Sequence, residues 1–108
     1  MQLPEITHLQ FLVLNCLTGQ ERPGLQIRQR LTAAAVRQSG PAFYRMMARL
    51  EDASMVEGYY VQEVIDGQVI KQRHYRLSPQ GRRSWDSTRR FYLESFRPSE
   101  LEKEKARA

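Results

Sequence analysis

Arg45 and Arg49 stand one helical turn apart in the run SGPAFYRMMARLE, Ser39–Glu51, with no acid before Glu51 to neutralise them. Two guanidinium groups at that spacing point the same way from a helix, suited to gripping phosphate or to paired hydrogen bonds with a guanine edge. The rest of the run fixes which face they occupy. Phe43, Met46, Met47 and Leu50 recur at i, i+3, i+4 and i+7 and make one apolar stripe. Ala42, Arg45, Ala48, Arg49 and Asp52 fall opposite, with Tyr44 at the boundary. Pro41 suits the first helical position, where its missing N–H is not needed. Such a helix either reads DNA or is an ordinary amphipathic helix with a solvated basic face, and the run alone leaves both open.

Other chemistry is poorly supplied. Cys16 is the single cysteine, set in an apolar run, and His8 and His74 are the only histidines. It reads as a buried core thiol rather than a nucleophile, and without a disulfide framework the expected home is reducing and cytoplasmic. Zinc needs clustered Cys and His at ligand spacing, which is absent. No paired carboxylates converge, no Ser/His/Asp set is suggested, and the glycines form no phosphate loop. The expectation is therefore no metal, no cofactor and no enzyme. Phe11–Leu14, the longest purely apolar run, is far too short to span a bilayer. Nor does any Lys or Arg precede Arg22, so the charged start of a signal peptide is missing.

Charge points to an anionic partner: 108 residues carry a net +5, with a pI of about 9.8. Its distribution says more. Arg22, Arg28, Arg30, Arg37, Arg45 and Arg49 occur between Arg22 and Leu50 with no acid among them. From Glu51 to Asp66 there are five acids and no Lys or Arg, and from Gly67 to Arg90 Asp86 is the only acid. Blocks of this kind put a basic surface on one part of a fold. The chain length allows one globular domain that buries roughly two-thirds of its unfolded surface.

The elements that would carry these residues can be placed from local signals. Thr7 and Gln10 fit a capping box, and Ile6 with Phe11 fits the accompanying staple. Leu9, Leu12, Val13, Cys16 and Leu17 then form a broad apolar face ending at Gly19. That much apolar surface implies burial on more than one side, in the domain centre or at a dimer interface. Gln20–Gly24 reads as a loop. A second helix is expected over about Leu25–Ala35, with Leu25, Ile27, Leu31 and Ala34 or Ala35 inward, and Val36–Gly40 leads into Pro41–Asp52. Helix, short link, helix is the skeleton of a helix-turn-helix, whose second helix enters the major groove.

After Ala53 the period changes to that of strands, at Tyr59–Val61, Val64-Ile65, Val69-Ile70 and Tyr75–Leu77. Asp66-Gly67 is a two-residue type I′ hairpin signal, which pairs Ile65 with Gln68 and Tyr60 with Arg73. Ser78-Pro79, an N-cap followed by an N1 proline, opens a last helix that runs to about Arg97. Trp85, Thr88, Tyr92 and Phe96 make an aromatic-rich seam on it. The seam is expected to dimerise by packing on Leu9 and Leu12 of a second subunit, with packing inside one subunit as the alternative. The fold class is α+β, mainly α: a winged helix-turn-helix of three helices and a two-stranded hairpin wing, with a long C-terminal dimerisation helix. Its divisions are a DNA-binding domain over 1–78, the dimerisation helix over 79–97 and a charged tail over 98–108.

From about Leu9 to Trp85 the chain resembles the PadR-like winged-helix transcriptional regulators. PAFYRMMARLEDASMVE, Pro41–Glu57, is similar to the family run GxxYRxLxRLExxGLVE, and YRLSPQGR, Tyr75–Arg82, to its YRLTPxGR signature. The chain departs in three places. Gly24-Leu25 stands where members often have Gly-Tyr, Ser39-Gly40-Pro41 changes the order before the recognition helix, and Ala53-Ser54 replaces the usual glycine after it. The resemblance implies a dimeric DNA-binding regulator, most often a repressor, sometimes relieved by a small effector held near the interface aromatics.

With two copies set in successive major grooves, Gln38, Ser39, Ala42 and Arg45 are the candidates for base edges. Tyr44 and Arg49 are candidates for phosphate, with packing of the Tyr44 ring on the wing as its alternative. Lys71 and Arg73 would carry the wing to phosphate or the minor groove, unless they are simply a solvated hairpin edge. Arg82, Arg83, Arg89 and Arg90 read as a solvated helix face. The rival function is a winged helix that docks its arginine face on an acidic protein.

Overall fold

The computed structural model describes residues 4–96; the expected last turn at Arg97 and the charged tail 98–108 lie outside them. The elements run α1 (His8–Cys16), β1 (Arg22–Pro23), α2 (Gly24–Ala33), α3 (Gly40–Asp52), β2 (Val56–Ile65), β3 (Gln68–Leu77) and α4 (Pro79–Ser95). The strands form one antiparallel sheet in the order β1-β3-β2. No helix among the described residues is long and apolar enough to cross a membrane.

Local chemistry accounts for most boundaries. At α1 both halves of the capping box are made: Thr7 Oγ1 accepts from the Gln10 amide at 3.1 Å, and Gln10 Oε1 accepts from the Thr7 amide at 2.9 Å. The helix stops at Cys16, three residues short of Gly19, whose φ of +84° places it in the following turn. In α2, Gly24, Ile27 and Leu31 form the inward row, which turns Leu25, expected inward, out to solvent. Ala34 and Ala35 are exposed as well, because Ala35 takes a left-handed φ of +63° and Val36 N reaches back to the Leu31 carbonyl. That hydrogen bond ends the helix at Ala33.

The hairpin follows the register expected from Asp66-Gly67. Ile65 pairs with Gln68 and Tyr60 with Arg73, and both turn residues have positive φ, as a type I′ turn needs. Both strands are ten residues long, and β2 begins three residues before Tyr59. The Arg22–Pro23 strand, read as loop from sequence, pairs with Tyr75 and His74. Two residues, one of them a proline, carry no strand periodicity, so only the packed fold reveals this strand.

The core takes Val13, Leu14 and Leu17 from the α1 region, Ile27 and Leu31 from α2, and Phe43, Met46, Met47 and Leu50 from α3, closed by Val56 and Tyr75 of the sheet. Burying a side chain of this size stabilises the fold by about 1.5–3 kcal/mol. The α3 stripe is thus fully committed inward, which fixes the direction of its other residues.

Helix α4 is tied down at its start and docked on α1 farther along. Ser78 caps it by accepting from the Gly81 amide at 2.9 Å, while the Ser78 amide donates to the Met55 carbonyl at 3.1 Å. A Cβ on Gly81 would lie 1.9 Å from that same carbonyl oxygen, so only glycine allows the approach. Farther along, Trp85 Nε1 donates to Asn15 Oδ1 at 3.1 Å, and the Tyr92 ring meets Phe11 at 5.5 Å and His8 at 5.8 Å. The aromatic seam therefore packs first on α1 of its own chain. Thr88 is only 2% exposed and its hydroxyl donates to the Ser84 carbonyl at 2.7 Å, so it belongs to the protomer interior and offers nothing to a second subunit. Phe96, by contrast, is 78% exposed, and Leu93 is exposed beside it. Leu9 and Leu12 are half-buried against the core. Cys16 is also half-buried, and burial pushes its thiol above the ordinary range against the nearby charges of Arg30 and Arg22.

Candidate nucleic-acid interface

The interface is built on α3. Ser39 caps it, its Oγ accepting from the Ala42 amide at 3.2 Å, and Pro41 sits in the first turn. With Phe43, Met46, Met47 and Leu50 buried, the helical repeat points Pro41, Arg45, Ala48 and Asp52 directly away from the core, and all four are exposed. This ridge is the part that can enter a groove. Ala42 and Arg49 flank it on one side, Tyr44 and Glu51 on the other.

The first flank is a concavity that sequence reasoning did not foresee. Gln38, Ala42, Arg45 and Arg49 line an open groove of about 490 Å³ whose far wall is Thr7, Leu9 and Gln10 at the start of α1. Four of the residues proposed from sequence thus share one surface, and the N-terminal end of α1 joins them. Nothing local signals that proximity, because the two helices are brought together only through the core. The Gln38 carbonyl lies 3.5 Å from the Arg28 guanidinium, and among the described residues Gln38 Oε1, though buried, has no hydrogen-bond partner.

Not all of the basic block is surface charge. Arg22 is buried, donating from Nε to the Cys16 carbonyl at 2.6 Å and from a terminal nitrogen to Gln26 Oε1 at 2.9 Å. With Arg28 half-buried against the link before α3, the exposed members are Arg30, Arg37, Arg45 and Arg49. Among the described residues Arg45 and Arg49 make no ion pair, which leaves both charges available to a ligand. On α4, Arg90 pairs with Asp86 at 2.9 Å and Arg89 lies 5.9 Å from the Trp85 ring.

The second flank faces the wing. Tyr44, Ala48, Glu51, Tyr60, Arg73 and Tyr75 line an open cleft of about 380 Å³ between α3 and the sheet. The Tyr44 ring rests edge-on against Phe43, and a Cβ on Gly24 would touch it at 3.0 Å, so glycine at the start of α2 makes its seat. Lys71 and Arg73 both approach the Tyr60 ring, at 4.6 and 4.7 Å from its centroid. The two cations differ in what else they touch. Lys71 is exposed, whereas Arg73 is ion-paired with Glu51 at 2.7 Å. The Glu51 hydrogen bond holds the Arg73 guanidinium above its ordinary pKa. Burial pushes the Tyr75 phenol up, and the Glu51 charge adds to the shift. The tip of the wing carries exposed Val64 and Val69 around Asp66-Gly67.

No protein-family model matches the chain, and no curated protein matches it in sequence. Solved structures do match. A PadR-like transcription factor from Bacteroides fragilis superposes with a TM-score of 0.68 at 19% identity, over 80% of this chain and 81% of that one. A PadR family transcription regulator from Clostridium difficile R20291 gives 0.70 at 16% identity, over 83% of this chain and 98% of its own. Bacillus subtilis PadR, solved in complex with operator DNA, gives 0.62 at 17% identity over 73% of this chain, which spans 44% of that longer protein. At such identities the likeness establishes the fold: four helices and a three-stranded antiparallel sheet, arranged as in the PadR winged helix.

Proposed function

We propose that this protein is a sequence-specific double-stranded DNA-binding transcriptional regulator that acts as a homodimeric repressor in the cytoplasm. The observation that carries the reading is the exposed α3 ridge, with Arg45 on it and Arg49 beside it, neither in an ion pair among the described residues, next to a hairpin wing that presents Lys71. The likeness to a PadR solved on operator DNA supports it. The thirteen residues of α3 span about 20 Å at 1.5 Å per residue, and a major groove about 12 Å wide admits such a helix. Arg45, on the ridge, offers a bidentate donor pair to guanine O6 and N7. Gln38, Ser39 and Ala42 approach base edges from the N-terminal end. Arg49 and Tyr44, on the two flanks, take phosphates and set the register. Lys71 meets the backbone beside the wing. For dimerisation the exposed end of α4, with Phe96 and Leu93, supplies the apolar surface, helped by Tyr92, Trp85, Leu9 and Leu12 where they remain accessible.

Fluorescence anisotropy against the DNA upstream of its own gene and against a scrambled duplex, over a salt series, tests the reading. Strong preference for the upstream DNA is expected, with each neutralised phosphate adding about 0.9 to the log–log salt slope. Weak and equal binding to both duplexes overturns it and favours the rival, an arginine face that docks on an acidic protein, which a pull-down then tests.

A further inference from the structure

Among the described residues, one ion pair joins the recognition helix to the wing: Glu51 Oε1 in the last turn of α3 and a terminal nitrogen of Arg73 on β3, 2.7 Å apart. The other described pairs lie within the wing or within α4. The surroundings are shaped to hold it. A Cβ on Gly58 of β2 would fall 1.7 Å from Glu51 Oε1 and 2.7 Å from the same Arg73 nitrogen, so a side chain there would have to push the paired ends out of their present positions. Tyr60, directly opposite Arg73 in the ladder, places its ring 4.7 Å from the guanidinium, and Tyr75 lies 5.9 Å away. The two charged side chains are 26% and 29% exposed, which weakens solvent screening relative to an ordinary surface pair.

We infer that Glu51 and Arg73 form a strut that fixes the angle at which the wing leaves the recognition helix, and with it the spacing between the Arg45 ridge and Lys71. The inference rests on the DNA-binding reading above. Arg73 is then a positioning residue and not a phosphate ligand. A phosphate brought to its guanidinium would lie beside the Glu51 carboxylate, which already cancels the charge and would repel the newcomer. Lys71, two residues along the same strand face with no described acid partner, remains the wing's cation for DNA.

The two roles for Arg73 give opposite signs for one substitution. If Arg73 gripped phosphate, Glu51→Ala would release it and remove a repelling charge, so binding would tighten and the salt slope would steepen by about 0.9. As a strut, Glu51→Ala and Arg73→Ala each weaken binding to the upstream DNA by roughly three- to tenfold and leave the salt slope unchanged. The double variant loses no more than either single one, because both remove the same interaction. A readout without DNA accompanies this: spin labels at Gln29→Cys and Gln68→Cys in a Cys16→Ser background, with the interlabel distance measured by pulsed electron resonance. Glu51→Ala is expected to broaden that distribution. Tightened binding, or a distribution unchanged by Glu51→Ala, overturns the strut. Wild-type protein without preference for the upstream DNA overturns the DNA-binding reading instead, while broadening of the label distance still reports the strut.

Discussion

The Ser78 hydroxyl donates to the backbone carbonyl of Ser54, tying the cap of α4 to the turn that follows α3. The same oxygen accepts from the Gly81 amide, so a single side chain caps one helix and satisfies the exit of another. Ser78→Ala removes both, and a loss of about 1–2 kcal/mol is expected in urea denaturation. Ser39→Ala removes a cap alone and should cost less, about 1 kcal/mol. Equal losses for the two would mean that the Ser54 contact contributes nothing.

Ser54 and Ala35 hold left-handed φ values of +59° and +63° without being glycine. An L side chain there costs about 1 kcal/mol, and both residues are exposed with no packing to lose. Ser54→Gly and Ala35→Gly should each raise stability by about 0.5 kcal/mol, seen as a higher urea midpoint at constant slope. Asp66, at φ +52°, should gain less, because aspartate tolerates this region better.

Arg45→Ala is expected to weaken operator binding by about 1–3 kcal/mol and to relax the sequence preference at one base pair. Lys71→Ala should weaken all duplexes alike and lower the salt slope by about 0.9. Anisotropy titrations on operator and random DNA separate the two. Equal losses on both duplexes for Arg45→Ala would remove it from the base-reading set.

Alkaline pH should destabilise the fold. Cys16 and Tyr75 both have folded-state pKa values raised chiefly by burial. The neutral forms are favoured in the folded state. Their contribution is therefore fully present below the unfolded values and is lost as pH rises through the folded ones, from about pH 9 upward. Tyr75→Phe and Cys16→Ala should each flatten the fall of the melting temperature between about pH 8.5 and 11.

Phe96→Glu should shift a dimer toward monomer in sedimentation equilibrium while leaving the protomer folded, since that ring is mostly in solvent. Thr88→Asp should instead unfold the protomer, because the side chain is enclosed. A dimer unmoved by Phe96→Glu would exclude the end of α4 from the interface.

The sequence by itself determined what depends on neighbours along the chain. Thr7 with Gln10, Pro41, and Ser78 with Pro79 marked three helix starts, because a first-turn N–H must be capped or, at a proline, is missing. The Ser39 cap, and a start at Gly40 one residue earlier than Pro41, came only with the structure. Asp66-Gly67 determined the whole hairpin register, since a two-residue turn leaves one pairing. The spacing of Phe43, Met46, Met47 and Leu50 set the outward direction of Arg45.

Tertiary structure alone decided which polar residues meet across long separations. Charge pattern puts Arg22, Arg28 and Arg73 in one class with Arg45, yet the fold buries the first, half-buries the second beside the Gln38 carbonyl and pairs the third with Glu51. The seam on α4 likewise has the same sequence whether it meets its own α1 or another chain. Whether a charge or an apolar face is free depends on what packing brings within a few ångströms, and one-dimensional spacing does not encode that distance.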